Sequence, residues 1–114
     1  MNITIIGSGY VGLVSATCFA DLGNNVLCLD VDKKKIQLLK NSKIPFYEPG
    51  LASLASKTIA SNNLKFDSTY KEVISFSDVI FICVGTPQYK NGNPNLKYLM
   101  SCIDSIIEQY KKEY

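Results

Sequence analysis

Histidine and arginine are both missing from this 114-residue chain. Without histidine, the commonest general base and the commonest metal ligand are gone. Without arginine there is no guanidinium fork to hold a phosphate in bidentate fashion. Phosphate contacts must then come from backbone amides, hydroxyls or the point charges of the twelve lysines. Net charge is only +2, so nothing calls for a nucleic acid or a membrane surface as partner. The four cysteines, Cys18, Cys28, Cys83 and Cys102, include no C-x-x-C pair, and each lies in an apolar segment. They read as buried small hydrophobes rather than as metal or redox groups. The opening Met-Asn-Ile-Thr-Ile-Ile-Gly has no basic leader, and its apolar run is too short for a signal peptide or a membrane span. A reducing cytoplasm is therefore the expected compartment. No repeat, low-complexity tract or Pro/Gly/Ser-rich linker divides the chain, so a single domain over residues 1–114 is expected, and 46% hydrophobic residues suffice for its core.

What is present is concentrated in the first thirty residues. A short apolar run, Ile3 to Ile6, leads into Gly7-Ser8-Gly9-Tyr10-Val11-Gly12, and a helix-compatible segment from Val11 to Leu22 leads out. The pattern is strand, tight turn, helix. Gly7 permits the turn, Gly9 clears a side chain from where a pyrophosphate would press on the backbone, and Gly12 lets helix and strand lie close. Free N–H groups at the helix start would face the anion. A second strand, Val26 to Leu29, ends in Asp30, eighteen residues past Gly12, where a carboxylate can accept hydrogen bonds from a ribose hydroxyl. The glycine spacing alone is weak; strand, helix and closing acid together make a dinucleotide-binding fingerprint.

The remaining segments alternate strand and helix. Asp32 is expected to cap a helix through Lys40, with Ile36 and Leu39 turned inward and the lysines 33–35 in its first turn. Residues 41–50 form a loop carrying Phe46, Tyr47 and Glu48 between Pro45 and Pro49. A short amphipathic helix follows from about Leu51 to Ile59, then a third strand at Leu64 to Phe66. Thr69 to Glu72 has capping-box spacing for a brief helix ending near Phe76. Val79 to Val84 is apolar at every position, the mark of a parallel strand buried on both faces. It runs into Gly85-Thr86-Pro87 at the carboxyl end of the sheet, where Thr86 offers a hydroxyl to a ligand or serves only as a turn residue. Asn95 would cap a final helix whose stripe of Leu96, Leu99, Met100, Ile103, Ile107 and Tyr110 is expected to pack in the core. The expected fold is α/β, a Rossmann-like parallel sheet in the order 3-2-1-4 covered by helices on both faces, truncated after the fourth strand and its helix, with strand four an open edge.

Gly7-x-Gly9-Tyr10-Val11-Gly12, Asp30 with Lys35 five later, Pro45-Phe46-Tyr47-Glu48-Pro49-Gly50-Leu51 and Val84-Gly85-Thr86-Pro87 occur in that order. Together they resemble the N-terminal NAD-binding domain of the UDP-glucose/GDP-mannose dehydrogenase family, and within it the members that oxidise UDP-glucose. The resemblance implies that Gly7, Gly9, Tyr10, Val11 and Gly12 hold the pyrophosphate, that Asp30 and Lys35 meet the adenosine ribose, and that Gly85, Thr86 and Pro87 lie toward the nicotinamide half. It implies NAD rather than NADP, since a carboxylate repels a 2′-phosphate. Members of the family oxidise the 6-hydroxymethyl of a nucleotide sugar to a carboxylate through a thioester on a catalytic cysteine. The Cys-Phe-Pro-Lys-Asp segment that carries this cysteine does not occur here. The expectation is therefore an NAD-binding domain without the substrate-binding and catalytic domain, binding cofactor without turnover, with a UDP-sugar as substrate of the whole enzyme. GDP-mannose and UDP-N-acetylmannosamine oxidation use the same kind of domain. Hydroxyacyl-CoA and 6-phosphogluconate dehydrogenases share the fold start, but Tyr47 to Leu51 counts against both. A different class of reading is a non-catalytic module, or a homo-oligomer, pairing through the free edge of strand four.

Overall fold

The computed structural model describes all residues from Met1 to Tyr114. Four parallel strands form one sheet in the order β3-β2-β1-β4: β1 (Asn2–Ile6), β2 (Asn25–Leu29), β3 (Leu64–Asp67) and β4 (Val79–Ile82). In the central register Ile3 stands between Val26 of β2 and Val79 of β4. The order matches the one expected from sequence, and it follows from right-handed crossovers: the β1–β2 and β2–β3 connections run over one face of the sheet and the β3–β4 connection returns over the other.

Alternation along the strands divides the core. Ile3 and Ile5, Val26 and Cys28, Leu64 and Phe66 point to one face. There they meet Leu13, Ala16 and Ala20 of α1 (Tyr10–Asp21), Ile36 and Leu39 of α2 (Lys33–Lys40), and Ile59 of α3 (Leu51–Ala60). Ile6 and Leu29 point to the other face, against Val73 of α4 (Val73–Phe76) and Cys102 of α5 (Lys97–Glu113). Leu13, Leu29 and Leu39 are fully buried, each contributing about 1.5–3 kcal/mol of transfer free energy. Asp32 caps α2 as expected, its carboxylate accepting the N–H of Lys35 at 3.1 Å.

Four expectations need correction. Thr69 does not cap a helix: the carboxylate of Asp67 takes the N–H groups of Ser68 and Thr69 at 2.7 and 3.3 Å, which makes a turn and delays α4 to Val73. β4 is shorter than its apolar run and only half-buried, because β1 is its sole neighbour; Phe81 is 40% exposed and stacks on Phe19 at 5.4 Å. The apolar stripe of α5 does not pack in the core. Cys102 is the buried residue of that helix, while Leu96, Met100, Ile107 and Tyr110 are exposed. Nor is Cys18 buried; it lies on the outer side of α1. No helix is long and apolar enough to cross a membrane.

Candidate functional site

At the carboxyl ends of β1, β2 and β4 the chain encloses a cavity of about 390 Å³. Its floor is the turn after β1. Gly7 adopts φ +105°, and a Cβ there would come within 2.6 Å of the carbonyl oxygen of Cys83. Its N–H donates to the Leu29 carbonyl at 2.7 Å, so the turn is threaded between the ends of β2 and β4. A Cβ on Gly12 would overlap the Gly7 carbonyl oxygen. Any side chain at either position would push the helix off the turn.

The neighbouring glycines behave differently. A Cβ at Gly9 or Gly85 would meet nothing within 4 Å. The absence of a side chain at these positions leaves open space rather than relieving a contact within the protein. The start of α1 has no side-chain cap, and the N–H groups of Gly9, Tyr10, Val11 and Gly12 find no acceptor in the protein. Uncapped amides beside cleared space are what a pyrophosphate group requires.

Asp30, at the end of β2, faces this turn. Its Oδ2 accepts the Ser8 hydroxyl at 2.6 Å and the Ser8 N–H at 3.1 Å, and its Oδ1 accepts the Asp32 N–H at 3.0 Å. The Lys35 ammonium lies 4.0 Å from Oδ2. Partial burial works against ionisation of Asp30, but the Ser8 hydroxyl, the two backbone N–H groups and Lys35 together outweigh it and hold the carboxyl below its ordinary range. The group is thus an anion at neutral pH with acceptor capacity left on Oδ1.

The far wall comes from residues that no local motif marks: Tyr70, and Tyr98, Ser101, Cys102 and Ser105 of α5. The Tyr70 hydroxyl donates to the Cys102 sulfur at 3.2 Å. Burial, that hydrogen bond and the charge of Asp30 raise the Tyr70 phenol, so it stays a neutral donor. Burial, reinforced by Asp30, likewise pushes the Cys28 thiol up to about 12, which leaves it unreactive.

Of the residues singled out from sequence, Gly7, Gly9, Asp30, Lys35 and Gly85 line the cavity together. Gly12 is buried behind the turn, and Val11 is exposed on the first turn of α1. Tyr10 turns away from the cavity: its hydroxyl donates to Glu48 at 2.8 Å and its ring rests on Phe46 at 5.4 Å, tying loop 41–50 to the start of α1. That hydrogen bond to Glu48 raises the Tyr10 phenol. Thr86 and Pro87 are exposed and stand outside the cavity lining. Lys33 and Lys34 are exposed as well, so of the three lysines only Lys35 reaches the site.

A parallel sheet in this order, a glycine turn opening on uncapped amides and an acid at the end of the second strand define a Rossmann-type dinucleotide-binding domain. The model of the UDP-glucose/GDP-mannose dehydrogenase family, NAD binding domain, matches residues 1–114, and the chain belongs to that family, with NAD as its cofactor. It is 49% identical over 107 residues to the UDP-glucose 6-dehydrogenase TuaD of Bacillus subtilis, covering 94% of this chain and 23% of that protein. The UDP-glucose 6-dehydrogenase of Rhizobium meliloti is 47% identical, with 93% and 24% covered. Among solved structures, the GDP-mannose dehydrogenase of Pseudomonas aeruginosa superposes with a TM-score of 0.89 at 40% identity, covering 93% of this chain and 24% of that one. The chain thus spans about a quarter of the length of the relatives it matches.

Proposed function

We propose that this chain is the cofactor-holding part of a nucleotide-sugar dehydrogenase, with UDP-glucose as the sugar nucleotide of the whole enzyme. In this reading the amides of Gly9, Tyr10, Val11 and Gly12 bind the pyrophosphate of NAD, Gly7 and Gly12 shape the turn, and Asp30 with Lys35 meets the adenosine ribose. Gly85, Thr86 and Pro87 border the path to the nicotinamide. NAD, when bound, accepts the hydride. The protein's part is to fix the dinucleotide and to repel a 2′-phosphate through Asp30.

The observation that carries this reading is the pairing of an ionised, pre-set Asp30 with uncapped amides across one cavity. The substrate and catalytic domain is proposed to lie outside these residues. In support, Cys28 and Cys102 are buried, Cys83 is half-buried, and burial pushes the Cys28 and Cys83 thiols up, away from the reactive thiolate. The four unpaired thiols also support a reducing, cytoplasmic setting. Isothermal titration of the purified chain with NADH and NADPH tests the reading. NADH binding tighter than NADPH, with no turnover of UDP-glucose, is expected; a folded sample that binds neither refutes it.

Structural likeness to the GDP-mannose dehydrogenase favours a second reading, in which GDP-mannose is the substrate. Identity to the UDP-glucose enzymes of Bacillus subtilis and Rhizobium meliloti named above is higher, which favours the first. Self-association through β4, whose outer edge has no strand partner, is part of the proposal. Sedimentation as a monomer at high concentration would remove that part alone.

A further inference from the structure

Ser8 occupies a position that the glycine motif leaves unspecified, yet it is fully buried. A buried hydroxyl must have a partner, and the partner here is the acid of the ribose site. The Ser8 hydroxyl and N–H both reach Oδ2 of Asp30, at 2.6 and 3.1 Å. A carboxylate oxygen has about two acceptor positions, so Ser8 saturates Oδ2. Oδ1 takes only the Asp32 N–H, at 3.0 Å, and keeps one position free. The turn that would cradle the pyrophosphate is thereby tied to the carboxylate that would meet the ribose.

We propose that Ser8 is the positioning residue of the ribose site, fixing Asp30 so that Oδ1, and not Oδ2, is the oxygen a ribose hydroxyl reaches. The proposal rests on the NAD-binding reading above for its ligand, but not for its geometry. Other groups face Asp30 as well: Lys35 from α2, the Cys28 thiol on β2, the Tyr70 phenol ahead of α4, and the Asp67 carbonyl, which accepts the Asp30 N–H at 3.1 Å. Lys35 is the only cation among them. Its ammonium stands at 4.0 Å and is partly exposed, whereas the Ser8 hydroxyl is within short hydrogen-bond distance and shielded from water. Of the two, Ser8 therefore sets the orientation.

The test has an arm that needs no ligand. In a pH titration followed by carbon NMR of the side-chain carboxyls, Asp30 of the unaltered chain should titrate below the ordinary aspartate range. In Ser8→Ala it should move up toward that range, and in Ser8→Thr, which keeps the hydroxyl, it should return. Titration with NAD at pH 7 should show affinity about tenfold lower in Ser8→Ala, the loss expected for one hydrogen bond to a charged group. Ser8→Thr should recover most of it. The proposal is overturned if Asp30 of the unaltered chain titrates at or above the ordinary range, an outcome that does not depend on any variant folding. It is overturned equally if folded Ser8→Ala leaves the carboxyl titration unmoved and NAD affinity within twofold. If neither chain binds NAD but the titration shift appears, the positional claim stands and the cofactor reading falls.

Discussion

The two sides of the sheet are built to different tolerances. On the β1-α1-β2 side, Ile5, Leu13, Ala16 and Cys28 are completely buried, and a glycine turn fits with no room for a methyl group. On the β4-α5 side, all four strand residues keep some exposure and a 17-residue helix buries only Cys102. The difference teaches where the recognition of a dinucleotide is fixed. The amides, the turn and Asp30 belong to the tight side; the wall opposite them belongs to the loose one. Binding of the phosphates and the ribose should therefore be insensitive to changes on α5, and stability should be decided almost wholly by the tight side.

The largest expected effect is at Gly12. Its Cβ would overlap the Gly7 carbonyl, a backbone atom that cannot yield without displacing the turn from Cys83. Gly12→Ala should cost about 3 kcal/mol or more, read from the urea midpoint. Gly9→Ala, which meets nothing within 4 Å, should leave stability within about 0.5 kcal/mol while weakening NAD binding. Equal destabilisation by both would break the contrast.

Next is a pair of side-chain truncations. Leu39→Ala removes a fully buried side chain and should cost about 2–5 kcal/mol. Ile107→Ala, on the exposed stripe of α5, should cost less than about 0.5 kcal/mol in the isolated chain. A large loss at Ile107 would mean that the stripe is covered by something, such as a second copy.

A smaller effect is expected in acid. The folded-state pKa of Asp30 lies below its unfolded value of about 3.9. Its contribution is therefore present above that unfolded value and lost as pH falls through the folded one. Asp30→Asn should remove this part of the acid limb and flatten the dependence of the melting temperature on pH in that window. An unaltered limb would place the carboxylate's partners elsewhere. Smallest of all is Tyr10→Phe, which removes an exposed hydrogen bond to Glu48 and keeps the ring on Phe46. It should leave the urea midpoint unchanged and increase backbone motion of residues 41–50, measured by NMR relaxation.

The same contrast explains what could be read from the sequence. Gly7, Gly12, Asp30 and the Asp32 cap act on neighbours close along the chain or on the adjacent strand, so spacing alone reveals them. The strand order follows from alternating elements and chain handedness. Thr69 misled because Asp67, two residues earlier, takes the Thr69 N–H that the Glu72 side chain would hold in a capping box. The stripe on α5 misled because periodicity tells which residues share a helix face, not whether anything covers that face. Tyr70 and Cys102 were invisible as site residues because only folding brings a buried thiol and a phenol from 32 positions apart to one wall. Ser8 was hidden in plain view, since a motif written with an unspecified second position does not ask what fills it.

The most direct measurement is an amide chemical-shift map of the nitrogen-15-labelled chain titrated with NAD. Tight-side recognition predicts the largest shifts at residues 8–12 and at Asp30 and Val31, with residues 107–114 unmoved. Shifts confined to residues 86–95 and α5, with the glycine turn silent, would contradict it.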